Sequence, residues 1–181
     1  MKTETLFNSI RCSSNILQSP KDIEFILEAL NHPQTLKKLF VASSNGFSAH
    51  KFHQICDGIA DTFTVIRTNF GKTIAGYTPI KWASPADSTW FPDPSNRSFL
   101  LSVDLREKMT LMDPLKAIQC STSWGPCFGG GCDIAIADKC DVKDSSSLFP
   151  TSYNNKGKYK NKASTWEAFS GAIGLWNFKV H

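Results

Sequence analysis

Beyond Asp61 the chain breaks into short apolar stretches separated by turn residues, and this punctuation limits the fold more than any other feature of the sequence. The stretches are 62–68 "TFTVIRT", 73–82 "TIAGYTPIKW", 97–104 "RSFLLSVD", 116–122 "KAIQCST", 132–138 "CDIAIAD", 152–159 "SYNNKGKY" and 173–180 "IGLWNFKV", with the turn "NFGK" between the first two. Several strands at roughly 8 to 12 residue spacing build an all-β sandwich or barrel core rather than βαβ units. In the last stretch Trp176, Phe178 and Val180 alternate with Asn177 and Lys179, the period of a half-buried strand. The segment 84–96, "SPADSTWFPDPSN", is expected as a surface loop between strands.

Two helices are expected ahead of the strands. Ser19-Pro20-Lys21-Asp22 supplies a cap residue, a proline at the first helical position and an acid three after the cap. Ile23, Ile26, Leu27 and Leu30 then repeat at helical spacing, which predicts an amphipathic helix over 20–31. Ser48 is placed to cap a second helix through Ile59, with Phe52, Ile55, Cys56 and Ile59 as its apolar stripe. Between the helices, 39–43 "LFVAS" reads as a short buried strand.

A chain of 181 residues, 41% hydrophobic and with thirteen Phe and five Trp, can bury one solid core. No repeat, heptad, low-complexity tract or linker divides it. The formal charge of +4 is spread over both signs and gives no nucleic-acid footprint. The opening "MKTETLFNSIRCSS" lacks the apolar core of a secretory signal, and no apolar run approaches the ~20 residues of a membrane helix. The expectation is a soluble, cytoplasmic protein whose six cysteines are reduced, buried hydrophobes and whose Asn96-Arg97-Ser98 sequon is unused.

The run 123–138, "SWGPCFGGGCDIAIAD", is the most conspicuous candidate for chemistry. A phosphate cradle needs a helix after its glycines, so that amide N–H groups and the helix dipole face the anion. Here the following residues alternate as a strand, and no Lys-Ser or Lys-Thr follows the glycines. The glycines are therefore read as architecture, giving positive φ and close backbone approach beside a packed Trp124. No nucleotide or other cofactor is expected.

Metal binding fares no better. On a helix His50 lies roughly 120° from Cys56, so His50, His53 and Cys56 do not converge, and His50 faces water. Cys120, Cys127, Cys132 and Cys140 lack paired C-x2-C spacing, and strand alternation is expected to scatter their thiols. Nucleophilic catalysis has only His32, His50, His53 and His181 to draw on, and no G-x-S-x-G elbow is present. Asp133 and Asp138 read as isolated acids. The chain is thus expected not to be an enzyme; the rival reading is a thiol-based redox enzyme using Cys127 or Cys132 beside the glycines. Lys156, Lys158, Lys160 and Lys162 share one side of an extended segment and form a candidate strip for an acidic partner, or a solvated, lysine-guarded edge.

Taken together, several stretches resemble the TLDc domain family: 39–58 "LFVASSNGFSAHKFHQICDG"; 62–82, with the pair Gly76-Tyr77; 98–103 "SFLLSV"; 125–138, like the family's Gly-Pro-x-Phe-Gly-x-Gly-x-Asp motif on Gly125, Pro126, Phe128, Gly129, Gly131 and Asp133; and 174–180 "GLWNFKV". Their order along one chain carries the resemblance. It implies an α+β, mainly β fold, a two-sheet antiparallel β-sandwich flanked by two early helices, with an N-terminal arm over 1–18, a helical lead-in over 19–35 and the domain over 36–181. It further implies a non-enzymatic interaction module, linked in the family to oxidative-stress protection and to binding of the vacuolar proton-pumping ATPase, with no catalytic residues to carry over. A structural subunit of a large cytoskeletal, ciliary or organellar complex is the alternative role.

Overall fold

The computed structural model describes residues 2–33, 35–154, 169–171 and 176–180. The fold is α+β and mainly β: two antiparallel sheets with short helices around them. One sheet has five strands in the order β1 (Thr62–Arg67), β2 (Thr73–Thr78), β4 (Phe99–Ser102), β5 (Glu107–Leu111) and β10 (Tyr153–Asn154). The other has six, in the order β11 (Trp176–Phe178), β9 (Ser145–Ser146), β8 (Ile134–Ala137), β7 (Trp124–Phe128), β6 (Ile118–Cys120) and β3 (Thr89–Phe91). Ile66, Ile74, Leu100, Met109 and Leu111 of the first sheet meet Ile118, Phe128, Ile134 and Ile136 of the second in one buried cluster.

The five-stranded sheet is covered on its other face as well. Helices α1 (Lys2–Ser13) and α2 (Pro20–Ala29) bring Leu6, Ile23, Ile26 and Leu27 onto Ala75, Phe99 and Leu101. Strand β4 therefore reads as an unbroken apolar run: Leu100 points between the sheets, while Phe99 and Leu101 point at the helices. Burying each of Ile23, Ile26 and Leu27 stabilises this packing by roughly 1.5–3 kcal/mol. Helix α2 begins at Pro20, as the sequence predicts, although the Ser19 side chain makes no capping bond. Positive φ at Asn31 and His32 ends its path. Asp22 pairs with Arg106, and Lys108 donates to the carbonyl of Ala29, which pins both ends of α2 to the loop before β5 and to β5 itself.

The stretch expected as a strand at 39–43 is not one. Ala42–Asn45 form a one-turn helix, α3, because the Asn45 side chain turns back to accept the Val41 amide at 2.7 Å and withdraws that amide from any ladder. The helix expected through Ile59 is α4, Ala49–Cys56. Ser48 caps it by accepting from the Lys51 amide, and it stops where Asp57 turns extended to bridge Trp82. The proline-rich loop at 84–96 holds β3, an edge strand that pairs with β6, because Thr89-Trp90-Phe91 are strong strand formers between Asp87 and Pro92. Strands β5, β7 and β9 are further additions to the segments that the sequence pattern picks out.

Candidate functional site

The glycine motif closes the sandwich. Strand β7 ends at Phe128, whose ring enters the space between the sheets and lies edge-on to Trp82 and Tyr153. Opposite it on β2, a Cβ on Gly76 would stand 2.5 Å from the Phe128 ring, so only a residue without a side chain leaves the aromatic its seat. Tyr77 points to the other face, where it stacks on Phe99 and donates its hydroxyl to Asp61 at 2.6 Å. Burial and that hydrogen bond push its phenol up to about 12. Pro126 is buried where the β7–β8 register shifts, a position at which a strand tolerates a missing N–H. Gly125 packs against Ile136.

After Phe128 the chain turns through Gly129, Gly130, Gly131 and Cys132 to Asp133. Gly129 has φ of +87°, and a Cβ there would fall 1.9 Å from Asp133 Oδ2. The reason is Asp133, which is fully buried. Its carboxylate accepts from the Thr151 amide and hydroxyl, both at 2.6 Å, and from the Ser152 amide at 2.8 Å. Those donors lie just before β10, which belongs to the opposite sheet. The Gly130 amide donates to Ser152 Oγ at 2.8 Å, and Tyr153 Oη donates to the Ala117 carbonyl at 2.6 Å. The motif is therefore a staple between sheets. Burial pushes the Asp133 carboxyl up to about 6 against the pull of these hydrogen bonds.

The structure corrects one expectation about the cysteines. Cys127 and Cys132 are not scattered: their Sγ atoms lie 2.9 Å apart, and Gln119 Oε1 accepts from Cys132 at 3.1 Å. Alternation fails as a guide because Cys132 is on no strand; it sits in the turn with φ of +57°. The hydrogen bond between the thiols raises Cys127, with burial adding to the rise, and lowers Cys132. Burial pushes the Cys120 and Cys140 thiols each up to about 11. Among the described residues no three His, Cys, Asp or Glu side chains converge as metal ligands.

Trp124, at the start of β7, leads to a network that the sequence reading overlooks. The buried His53 of α4 places Nδ1 2.7 Å from Asp57 Oδ1 and Nε2 2.8 Å from the Trp124 carbonyl. Ser84 Oγ donates to Asp57 Oδ2 at 2.7 Å. These are hydrolase residue types in the wrong order: the aspartate stands between serine and histidine, so the ring reaches no serine hydroxyl. What the network does is clamp α4 to β7. The four-residue spacing of His53 and Asp57 along one helix face was its available signal. His50 is exposed. Lys156, Lys158, Lys160 and Lys162 lie outside the described residues.

Among the described residues no helix is long and apolar enough to cross a membrane. The family model of the TLDc domain matches residues 12–170. No curated protein matches the chain.

Proposed function

This chain belongs to the TLDc domain family, and on that premise we propose that it is a non-enzymatic protein-binding module of the cytoplasm that engages the vacuolar proton-pumping ATPase and contributes to resistance against oxidative damage. The observation that supports this reading is the way the matched glycine motif is used. Asp133, its one acidic member, is sealed from solvent and occupied by Thr151 and Ser152, so the motif holds two sheets together and leaves recognition to the outer surface. Lys156, Lys158, Lys160 and Lys162 supply a run of positive charge suited to an acidic protein surface.

The test is direct binding. Tagged full-length protein, incubated with purified vacuolar ATPase at physiological salt, is expected to retain the pump and to change its ATP hydrolysis. Failure to retain it at micromolar concentrations of both would refute the proposed partner. Changing the four lysines together to glutamate is expected to weaken retention at least tenfold, and unchanged retention would remove the basic run from the interface.

A further inference from the structure

The thiol pair lies on the outer side of the glycine hairpin. On β6 and β7, Ile118 and Phe128 point into the core, so their neighbours Gln119 and Cys127 point to the opposite face, where Cys132 meets them. The two thiols differ in access. Cys127 is 1% exposed, whereas Cys132 is partly open to solvent. They differ in chemistry too: the Cys127 S–H points at the Cys132 sulfur 2.9 Å away, which favours the thiolate on Cys132 rather than on Cys127 and outweighs burial and the neighbouring Asp133 charge, and ionisation of Cys132 gives up its own S–H bond to Gln119. An accessible sulfur favoured as thiolate, with a second thiol buried behind it, is the arrangement of an attacking and a resolving cysteine.

We propose that Cys127 and Cys132 form a reversible dithiol–disulfide modification site, oxidised by hydrogen peroxide, which bridges the glycine hairpin covalently. The Cys132 thiolate attacks one peroxide oxygen; an S–O bond forms, the O–O bond breaks, and the departing hydroxide takes up a proton as water. The Cys127 sulfur then attacks the sulfenic sulfur; an S–S bond forms, the S–O bond breaks, and the second oxygen leaves as water with the Cys127 proton. Two thiols and one peroxide become one disulfide and two waters, with two electrons passing from sulfur to oxygen. A small thiol reverses the change by exchange. The site reacts once per molecule and needs no turnover, so it goes beyond the binding role above and stands or falls separately from it. Gly129 turns the bridged segment through its positive φ, and Cys132, also at positive φ, already places its sulfur 2.9 Å from its partner.

The experiment uses the full chain exposed to substoichiometric and then equimolar hydrogen peroxide, alkylated after unfolding, and mapped by peptide mass spectrometry. The expected result is loss of two of the six free thiols, with the peptide holding Cys127 and Cys132 lighter by two hydrogens and restored by dithiothreitol. The exposed Cys12 serves as the internal standard and remains alkylated. In Cys127→Ser, Cys132 is expected to stop at the sulfenic acid, one oxygen heavier and trapped by a cyclic diketone; in Cys132→Ser, Cys127 is expected to stay reduced. The wild-type map alone decides the matter should a variant fold poorly. Oxidation of Cys12 while Cys127 and Cys132 remain reduced, or oxygen addition to the pair without loss of two hydrogens, would overturn the proposal.

Discussion

Asp93 and Asp133 are both shut away from solvent, and each holds a loop by collecting its amide and hydroxyl protons, yet they lean opposite ways in their titration. At Asp93 burial pushes the carboxyl up, but hydrogen bonds from Ser95 and Ser98 outweigh it and hold the group below 3.8. At Asp133 burial wins and the value rises to about 6. Deeper desolvation at Asp133 and the closeness of the donors at Asp93 together explain the contrast. Asp93 is served from two to five residues away, by the amides of Ser95, Arg97 and Ser98 and the hydroxyls of Ser95 and Ser98. Asp133 is served from 18 and 19 residues away, across the gap between sheets. A local turn can crowd an anion with donors; a staple between sheets must accept those that packing brings to it.

The largest effect expected from this contrast is at the staple. Asp133→Ala leaves the Thr151 and Ser152 amides without their acceptor in a dry site, at ~1–3 kcal/mol for each unsatisfied group. A loss of ~3–5 kcal/mol by urea unfolding is expected, and a loss under about 1 kcal/mol would deny Asp133 this role. Next is Gly129→Ala, whose methyl meets the Asp133 carboxylate at a φ of +87°. Relief requires breaking the staple or straining the backbone, so ~2–4 kcal/mol is expected. Smaller again is a pair of neutral replacements. Asp93→Asn discards a charge that its loop favours and should cost ~2 kcal/mol, whereas Asp133→Asn discards a charge that its site disfavours and should cost about half as much. The reverse ranking would break the comparison.

The smallest effects are in pH dependence. The raised Asp133 carboxyl lets the folded state hold a proton that the unfolded chain releases, so its contribution is fullest below the ordinary value of 3.8 and declines as pH climbs toward about 6. Asp93 acts oppositely: its contribution is present above 3.8 and is lost as pH falls through its lowered value. The stability gap between wild type and Asp133→Asn should therefore change to the disadvantage of wild type by on the order of 1 kcal/mol between about pH 4 and pH 6. The gap to Asp93→Asn should change in favour of wild type as pH rises through the region below 4. Urea titrations at several pH values measure both.

The same contrast explains what could be read from the sequence. Helix α2 declares itself by helical spacing, because one face must be dry, and strands β2 and β4 by short apolar runs between turn residues, because both of their faces are dry. The strand β7 does not: Pro126 and the glycines around it look like loop until Phe128 is seen filling the seat left by Gly76. The family resemblance marked Asp133 as a motif residue but gave it no partners, since Thr151 and Ser152 are supplied by topology rather than by neighbouring positions. Cys132 misled for a related reason. Its left-handed conformation is uncommon for a residue with a side chain, so a period-two reading from Cys132 onward places its thiol on the wrong element. The short helix at 42–45 was hidden by one asparagine side chain competing for a backbone amide.

Helices α1 and α2 lie over Phe99, Leu101 and Ala75, with Phe63, Val65 and Tyr77 packed around the same patch. A shortened clone beginning at residue 36 would leave that greasy face wet, and its molecules would clump through it before any partner could be tested. The leading segment therefore works as a fitted cover, and fusion tags or truncations that pry it loose will be measuring aggregation instead of biology.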